Sequence, residues 1–227
     1  MGDAFRRDSE PSSAGPPAVR RRPEWVVVVP LKPAATGKSR LREPNAGDEL
    51  VRAIGLDTVD AARAAERVAR VLVVTADPET ARTAAAMTGV DVVAEPPGGL
   101  NAAIGAGMAH AGAAAPRAAL LGDLPALRPA DLDAALEAAA SVDRGVVADA
   151  EGTGSTLVTA RAGVAWAAAF GDGSLARHLE LGCVPLPVAA DSTLRRDVDT
   201  TEHLVAAEAI GLGPRSAARR AVLPRPR

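Results

Sequence analysis

Tyrosine is absent from the 227-residue chain, tryptophan and phenylalanine occur twice each, and Cys183 is the single cysteine. So few rings exclude the exposed aromatic platform on which single-stranded nucleic acid stacks. One thiol permits no internal disulfide, and a body of this size buries enough surface to fold without one. No apolar run approaches the roughly 20 residues that cross a bilayer. The start, Met-Gly-Asp-Ala-Phe-Arg-Arg, lacks the apolar stretch of a signal peptide. The expected location is cytoplasmic, with no membrane partner. Lysine is the last scarcity: of 26 basic residues only Lys32 and Lys38 are lysine, and they lie six positions apart. Their segment is the first candidate site.

The formal net charge of −2 conceals a division. Residues 1–23 carry five arginines against three acids, and residues 214–227 carry five arginines and no acid. The body between them holds 16 basic and 25 acidic residues. An acidic body repels a phosphate backbone, so no nucleic-acid partner is expected. The Pro-, Ser-, Gly- and Arg-rich ends show no apolar period and read as disordered tails, 1–23 and a basic 214–227, around one domain at 24–213.

Within that domain short β-rich runs alternate with alanine-rich helical stretches. Trp25–Val29 is an unbroken apolar run closed by Pro30 and reads as a strand buried on both faces. Val51, Ile54, Thr58, Ala61, Ala65 and Val68 then step by three and four along one helix face. Further strands are expected at Val71–Thr75, Val90–Ala94, Ala118–Gly122 and Gly145–Ala148, with helices near 79–87, 101–113 and 130–140. This order predicts an α/β fold with a mostly parallel sheet flanked by helices. Short β pieces near Thr156–Thr159 and Val184–Val188 follow, and a helix from Thr200 to about Ile210 closes the domain.

Ligands of open α/β sheets bind beyond the carboxyl ends of the parallel strands, so the segments after the strands carry the functional information. After the first strand comes Pro30-Leu31-Lys32-Pro33-Ala34-Ala35-Thr36-Gly37-Lys38-Ser39-Arg40. Gly37-Lys38-Ser39 suggests a phosphate-binding P-loop, but that pattern needs glycine at position 32, where a lysine stands. The segment instead offers Lys32, Lys38 and Arg40 as cations converging on a polyphosphate. After the fourth strand comes Gly122-Asp123-Leu124-Pro125. Asp123 is too far from Pro129 to cap the next helix and reads as a hard oxygen ligand for Mg²⁺. Asp197-Val198-Asp199-Thr200 supplies more acid before the last helix, with Asp199 or Thr200 as the N-cap and Asp197 freer to bind metal. Two small-residue loops offer backbone donors to an anion: Gly152-Thr153-Gly154-Ser155-Thr156, and Phe170-Gly171-Asp172-Gly173-Ser174 ahead of a helix at Leu175–Leu181.

Taken together, Pro-x-Lys-(x)5-Lys-Ser-Arg-Leu, Leu100-Asn101-x-Ala-Ile104, Gly122-Asp-Leu-Pro-Ala-Leu127, Gly-Thr-Gly-Ser-Thr at 152–156, Phe-Gly-x-x-Ser at 170–174 and Asp-Val-Asp-Thr at 197–200 form a pattern. It resembles the 2-phospho-L-lactate/phosphoenolpyruvate guanylyltransferases of coenzyme F-420 biosynthesis, within the MobA-like nucleotidyltransferases. The resemblance runs from Trp25 to about Gly213 and implies a single-domain GT-A-like fold. It implies transfer of GMP from GTP to a small phosphorylated acid with release of pyrophosphate. Asp123 and Asp197 would hold one or two Mg²⁺, and Lys32 and Lys38 would neutralise the triphosphate. Leu31, Lys32, Lys38, Arg40 and Asn101 would face the nucleotide, and Ser155, Gly171 and Ser174 the acid, with Ser155 or Thr156 as the contacting hydroxyl. A downstream deazaflavin transferase is an implied partner. His178, after Ser174, is expected at the surface or as a cap. The alternatives are another acceptor on the same fold, or a nucleotide-binding protein without catalysis.

Overall fold

The computed structural model describes residues 24–32 and 46–223. Trp25–Pro30 forms β1, Val68–Thr75 β2, Val90–Ala94 β3 and Arg117–Leu120 β4. These four run parallel in the order β3-β2-β1-β4. The sheet continues through β6 (Ser155–Ala160), β5 (Arg144–Ala148) and β7 (Val184–Pro185), and only β6 runs antiparallel to its neighbours. The expected mostly parallel sheet is therefore present. The piece near 156–159 is a full strand inserted between β4 and β5.

The sheet separates two helical layers. On one side α1 (Ala46–Ala64), α2 (Pro78–Ala85) and α4 (Pro129–Ala139) pack on Val27, Val29, Val71, Val73, Leu120 and Leu157. On the other, α3 (Leu100–Ala111) and α5 (Ser174–Glu180) cover Val26, Val28, Leu72, Val74, Val146 and Val158. Alternate residues of β1 thus enter opposite cores, which is why its apolar run is unbroken. A third cluster joins Leu50 and Ile54 of α1 to Val198 and to Leu204 and Ala207 of α6 (Thr201–Ile210).

Two expectations change. Val68 opens β2 instead of ending α1, because the chain turns at residues 65–67, where the amides of Glu66 and Arg67 donate to the Asp133 carboxylate at 2.9 and 2.8 Å. The stretch after Gly213 is a helix for most of its length, not a disordered tail: Pro214–Ala221 forms α7 on α1. Its first amides need acceptors. The buried Asp57 carboxylate of α1 supplies them, taking Arg215 N–H at 3.1 Å and Ser216 N–H at 2.7 Å. Arg215 also pairs with Asp60, and Arg219 with Glu49 at 2.7 Å. Composition hid this helix because its contacts are made by backbone and charge instead of an apolar stripe. The tail at 1–23 and residues 224–227 lie outside the described residues. No helix among the described residues is long and apolar enough to cross a membrane.

Asp57→Ala leaves the buried Ser216 amide and the half-buried Arg215 amide without their acceptor and is expected to cost about 2 kcal/mol in urea unfolding. Amide exchange should accelerate first at Arg215 and Ser216.

Candidate functional site

The strand order reverses between β1 and β4, and the crevice at such a switch point is where α/β sheets bind ligands. Leu31-Lys32 leaves β1 and Gly122-Asp123 follows β4, so the two segments meet there. Their approach depends on missing side chains. A Cβ on Gly122 would lie 2.3 Å from Leu31 Cδ2 and 3.0 Å from the Pro30 carbonyl oxygen, and one on Gly55 of α1 would lie 2.7 Å from Leu31 Cδ2. Leu31 is thus threaded between two glycines, and the exposed Lys32 comes to line one cavity with Asp123.

That cavity measures about 260 Å³. Beyond Leu31, Lys32, Gly122 and Asp123, its wall includes Arg52, Asp77, Thr80, Leu100 and Asp199. Lys38 and Arg40 lie outside the described residues.

Three carboxylates converge at its acidic end. One oxygen each of Asp123, Asp197 and Asp199 lies within 4.8 Å of the others. The local sequence explains the convergence. Val198 is fully buried in the third core, so the acids on either side of it project together, and its amide donates to the Asp123 carbonyl at 3.0 Å. Leu124 N–H in turn donates to Thr58 Oγ1 of α1 at 3.1 Å, fixing the exit from β4. Thr200, not Asp199, caps α6, accepting from His203 N–H at 3.2 Å. Asp199 lies in the acidic cluster together with Asp197, the residue expected there from the sequence.

The far wall was not foreseen. Asp77 caps α2 through the Thr80 and Glu79 amides and also holds Arg52 at 3.0 Å. Burial raises its pKa, but the Thr80 hydroxyl and amide and the Arg52 guanidinium outweigh burial and hold the carboxyl below its usual range. The Asp-Pro-Glu sequence at 77–79 is a helix-start signal, with Asp77 as the N-cap and Pro78 in the first turn.

Ser155 and Thr156 reach the same end of the sheet because β6 is antiparallel: Leu120 faces Leu157, and Leu121 N–H donates to the Thr156 carbonyl at 2.9 Å. Opposite β5 the register slips, so that Val147 faces Leu157 but Ala148 faces Ser155. The extra residue is Thr156, a β-bulge of the kind that re-aims side chains. Period-two alternation puts Thr156 on the Val158 face, and pairing puts Ser155 on the Ala148 and Val146 face, which is the same one. Both hydroxyls consequently point to the α3 and α5 layer. Among the described residues Thr156 Oγ1 is buried with no hydrogen-bond partner.

The amides of the 152–154 loop are not open to an anion in the expected way. Thr153 N–H and Gly154 N–H donate to the Asp149 carboxylate at 2.9 and 2.6 Å, and Arg195 ties down the Asp149 carbonyl at 2.9 Å. The 170–174 loop is clamped by Asn101, whose amide takes Phe170 N–H at 2.9 Å and donates to Phe170 O at 3.0 Å. Asn101 stands at the start of α3 as expected, but with its polar atoms on this loop. Gly171, at φ +122°, holds a backbone conformation that L side chains rarely adopt, and Ser174 opens α5 as a buried residue. His178 is fully buried, not superficial, with Nδ1 3.0 Å from Ser155 Oγ. No periodicity in so short a helix could have revealed it.

A family model described as Guanylyl transferase CofC like matches residues 25–204. A phosphoenolpyruvate guanylyltransferase from Thermomonospora curvata is 48% identical over 206 residues, covering 88% of this chain and 90% of that protein. One of the same name from Sanguibacter keddieii is 46% identical, covering 85% and 82%. Among solved structures, a nucleotidyl transferase from Methanothermobacter superposes with a TM-score of 0.62 at 22% identity, covering 82% of this chain and 97% of that one. The 4-diphosphocytidyl-2C-methyl-D-erythritol synthase of Anaerococcus prevotii gives 0.54 at 12%, covering 82% and 97%. At these identities the structures establish the fold, a GT-A-like nucleotidyltransferase sheet.

Two outcomes check this geometry. Gly122→Ala should force β1 and β4 apart and cost about 1–3 kcal/mol in thermal or urea unfolding. Because the folded pKa of Asp77 is depressed, its stabilisation is present above the ordinary carboxylate value, about 3.9, and is lost as pH falls through the folded value. Asp77→Asn should therefore flatten the acid limb of the stability profile.

Proposed function

The chain belongs to the CofC-like guanylyl transferase family, and from that premise we propose that it transfers GMP from GTP to phosphoenolpyruvate. An oxygen of the acceptor phosphate attacks the GTP α-phosphorus, a new P–O bond forms, the α–β bond breaks, and pyrophosphate leaves with the electron pair. The relatives' names carry the choice of acceptor, and 2-phospho-L-lactate differs from it only by hydrogenation of the carbon–carbon double bond. The product would pass to a deazaflavin transferase, in the cytoplasm.

The observation that supports the chemistry is the convergence of Asp123, Asp197 and Asp199 beside Lys32 at the switch point. Three hard carboxylate oxygens suit Mg²⁺, which binds one or two carboxylates together with substrate phosphates. When bound there, Mg²⁺ supplies neutralisation of phosphate charge. The chain's own residues do the remaining work. Lys32, with Lys38 and Arg40, offsets the charge of the triphosphate and of the leaving pyrophosphate. Leu31 and Leu100 give the nucleoside an apolar wall. The Ser155 and Thr156 hydroxyls, with Gly171 and Ser174, receive the acid. The orphaned Thr156 Oγ1 is the direct support for that placement. Catalysis on this reading is positioning and charge neutralisation, since the attacking phosphate is already ionised.

Incubation with GTP, Mg²⁺ and each phosphorylated acid, followed by mass spectrometry and pyrophosphate detection, tests the proposal. Product with a sugar phosphate alone would overturn it. Asp123→Ala is expected to lower kcat at least 100-fold with unchanged circular dichroism. Lys32→Arg, which keeps charge but replaces a compact ammonium with a planar fork, should also impair turnover.

A further inference from the structure

One buried imidazole joins the two loops assigned to the acid. His178 of α5 accepts the Ala169 amide at Nε2 at 2.9 Å, its Nδ1 lies 3.0 Å from Ser155 Oγ, and its ring stands edge-on to Phe170 at a centroid distance of 4.8 Å. A backbone N–H only donates, so Nε2 must carry a lone pair and the ring proton must sit on Nδ1. Nδ1–H therefore donates to Ser155 Oγ, and the Ser155 hydroxyl hydrogen is turned away from the ring. Among the described residues no acceptor receives that hydrogen. The bulge at Thr156 places this hydroxyl on the same face as the orphaned Thr156 Oγ1.

We infer that His178 is a positioning residue for the acceptor acid: through Nδ1–H it fixes the Ser155 hydroxyl as a donor toward the acid, while Nε2 holds the 169–174 loop in place. The inference rests on the acid site proposed above. Burial, with the Arg177 charge adding to it, pushes His178 down to about 4, so the ring stays neutral near pH 7 and Nε2 keeps the lone pair that accepts the Ala169 amide. The two ring nitrogens have separate tasks, Nδ1 on the Ser155 hydroxyl and Nε2 on the 169–174 loop.

Two substitutions separate those tasks. His178→Asn places an amide near the Nδ1 position and can still donate to Ser155, whereas His178→Gln reaches the Nε2 position and can still accept from Ala169. The expected result is a rise of about tenfold in KM for phosphoenolpyruvate in His178→Gln, the scale of one lost hydrogen bond. KM for GTP should be unchanged, and KM for the acid should rise less in His178→Asn than in His178→Gln. Equal acid KM values in the two variants, or the opposite ranking, would overturn the inference. Ser155→Ala distinguishes the failures. If it leaves acid KM unchanged, the acid site is misplaced and the inference falls with it. If it raises acid KM while His178→Gln does not, only the inference falls. A readout independent of activity comes from the unsubstituted protein: ¹⁵N NMR of the imidazoles, with His178 identified by its loss in a variant, should show the Nδ1–H tautomer. An Nε2–H tautomer would overturn the inference even if both variants fail to fold.

Discussion

Three carboxylates drawn within 4.8 Å of one another repel, and much of the architecture around the switch point holds them together. Val198 anchors one pair by being buried between them. Thr58 of α1 fixes the loop that carries the third. The next residue back, Asp57, receives α7, and Gly213 N–H reaches the Pro125 carbonyl at 2.7 Å. Helices α1 and α7 thus brace the acidic end from behind. Concentrated negative charge of this kind is costly unless cations come close, which accords with the proposed binding of a divalent metal.

The side proposed to receive the acid is built differently. Its loops are rigid because their backbone groups are already satisfied within the protein: Asp149 takes the amides of 153 and 154, Asn101 both polar groups of Phe170, and His178 the amide of Ala169. Fewer donors remain for a ligand, and among them are hydroxyls brought to one face by an extra residue in β6. A small acceptor is recognised by few groups, so their directions must be fixed before it arrives.

The strands and helices were legible because their periodicities are local. Val26–Val29 alternates between two cores, and Ala-rich stretches of three- and four-residue spacing have one stable outcome. The positions of Lys32 and Asp123 at strand ends were legible too, since the parallel rule says where to look. What escaped depended on distant partners. Nothing near His178 announces that Ala169 and Ser155 will close around it. Nothing near Arg215 announces Asp57, 158 residues earlier. The insertion of β6 between β4 and β5, and the bulge that turns Thr156, are properties of strand pairing, which no single segment encodes.

The scarcity of lysine also has a chemical consequence. Lys32 and Lys38 carry the only ε-amines in the chain, and Lys32 is exposed at the mouth of the cavity. An acylating or aldehyde reagent that would decorate an ordinary protein at random meets here two side-chain targets, both in the segment after β1. Nonselective amine chemistry becomes, by composition alone, an affinity label whose reactivity reads out whether that cavity is filled.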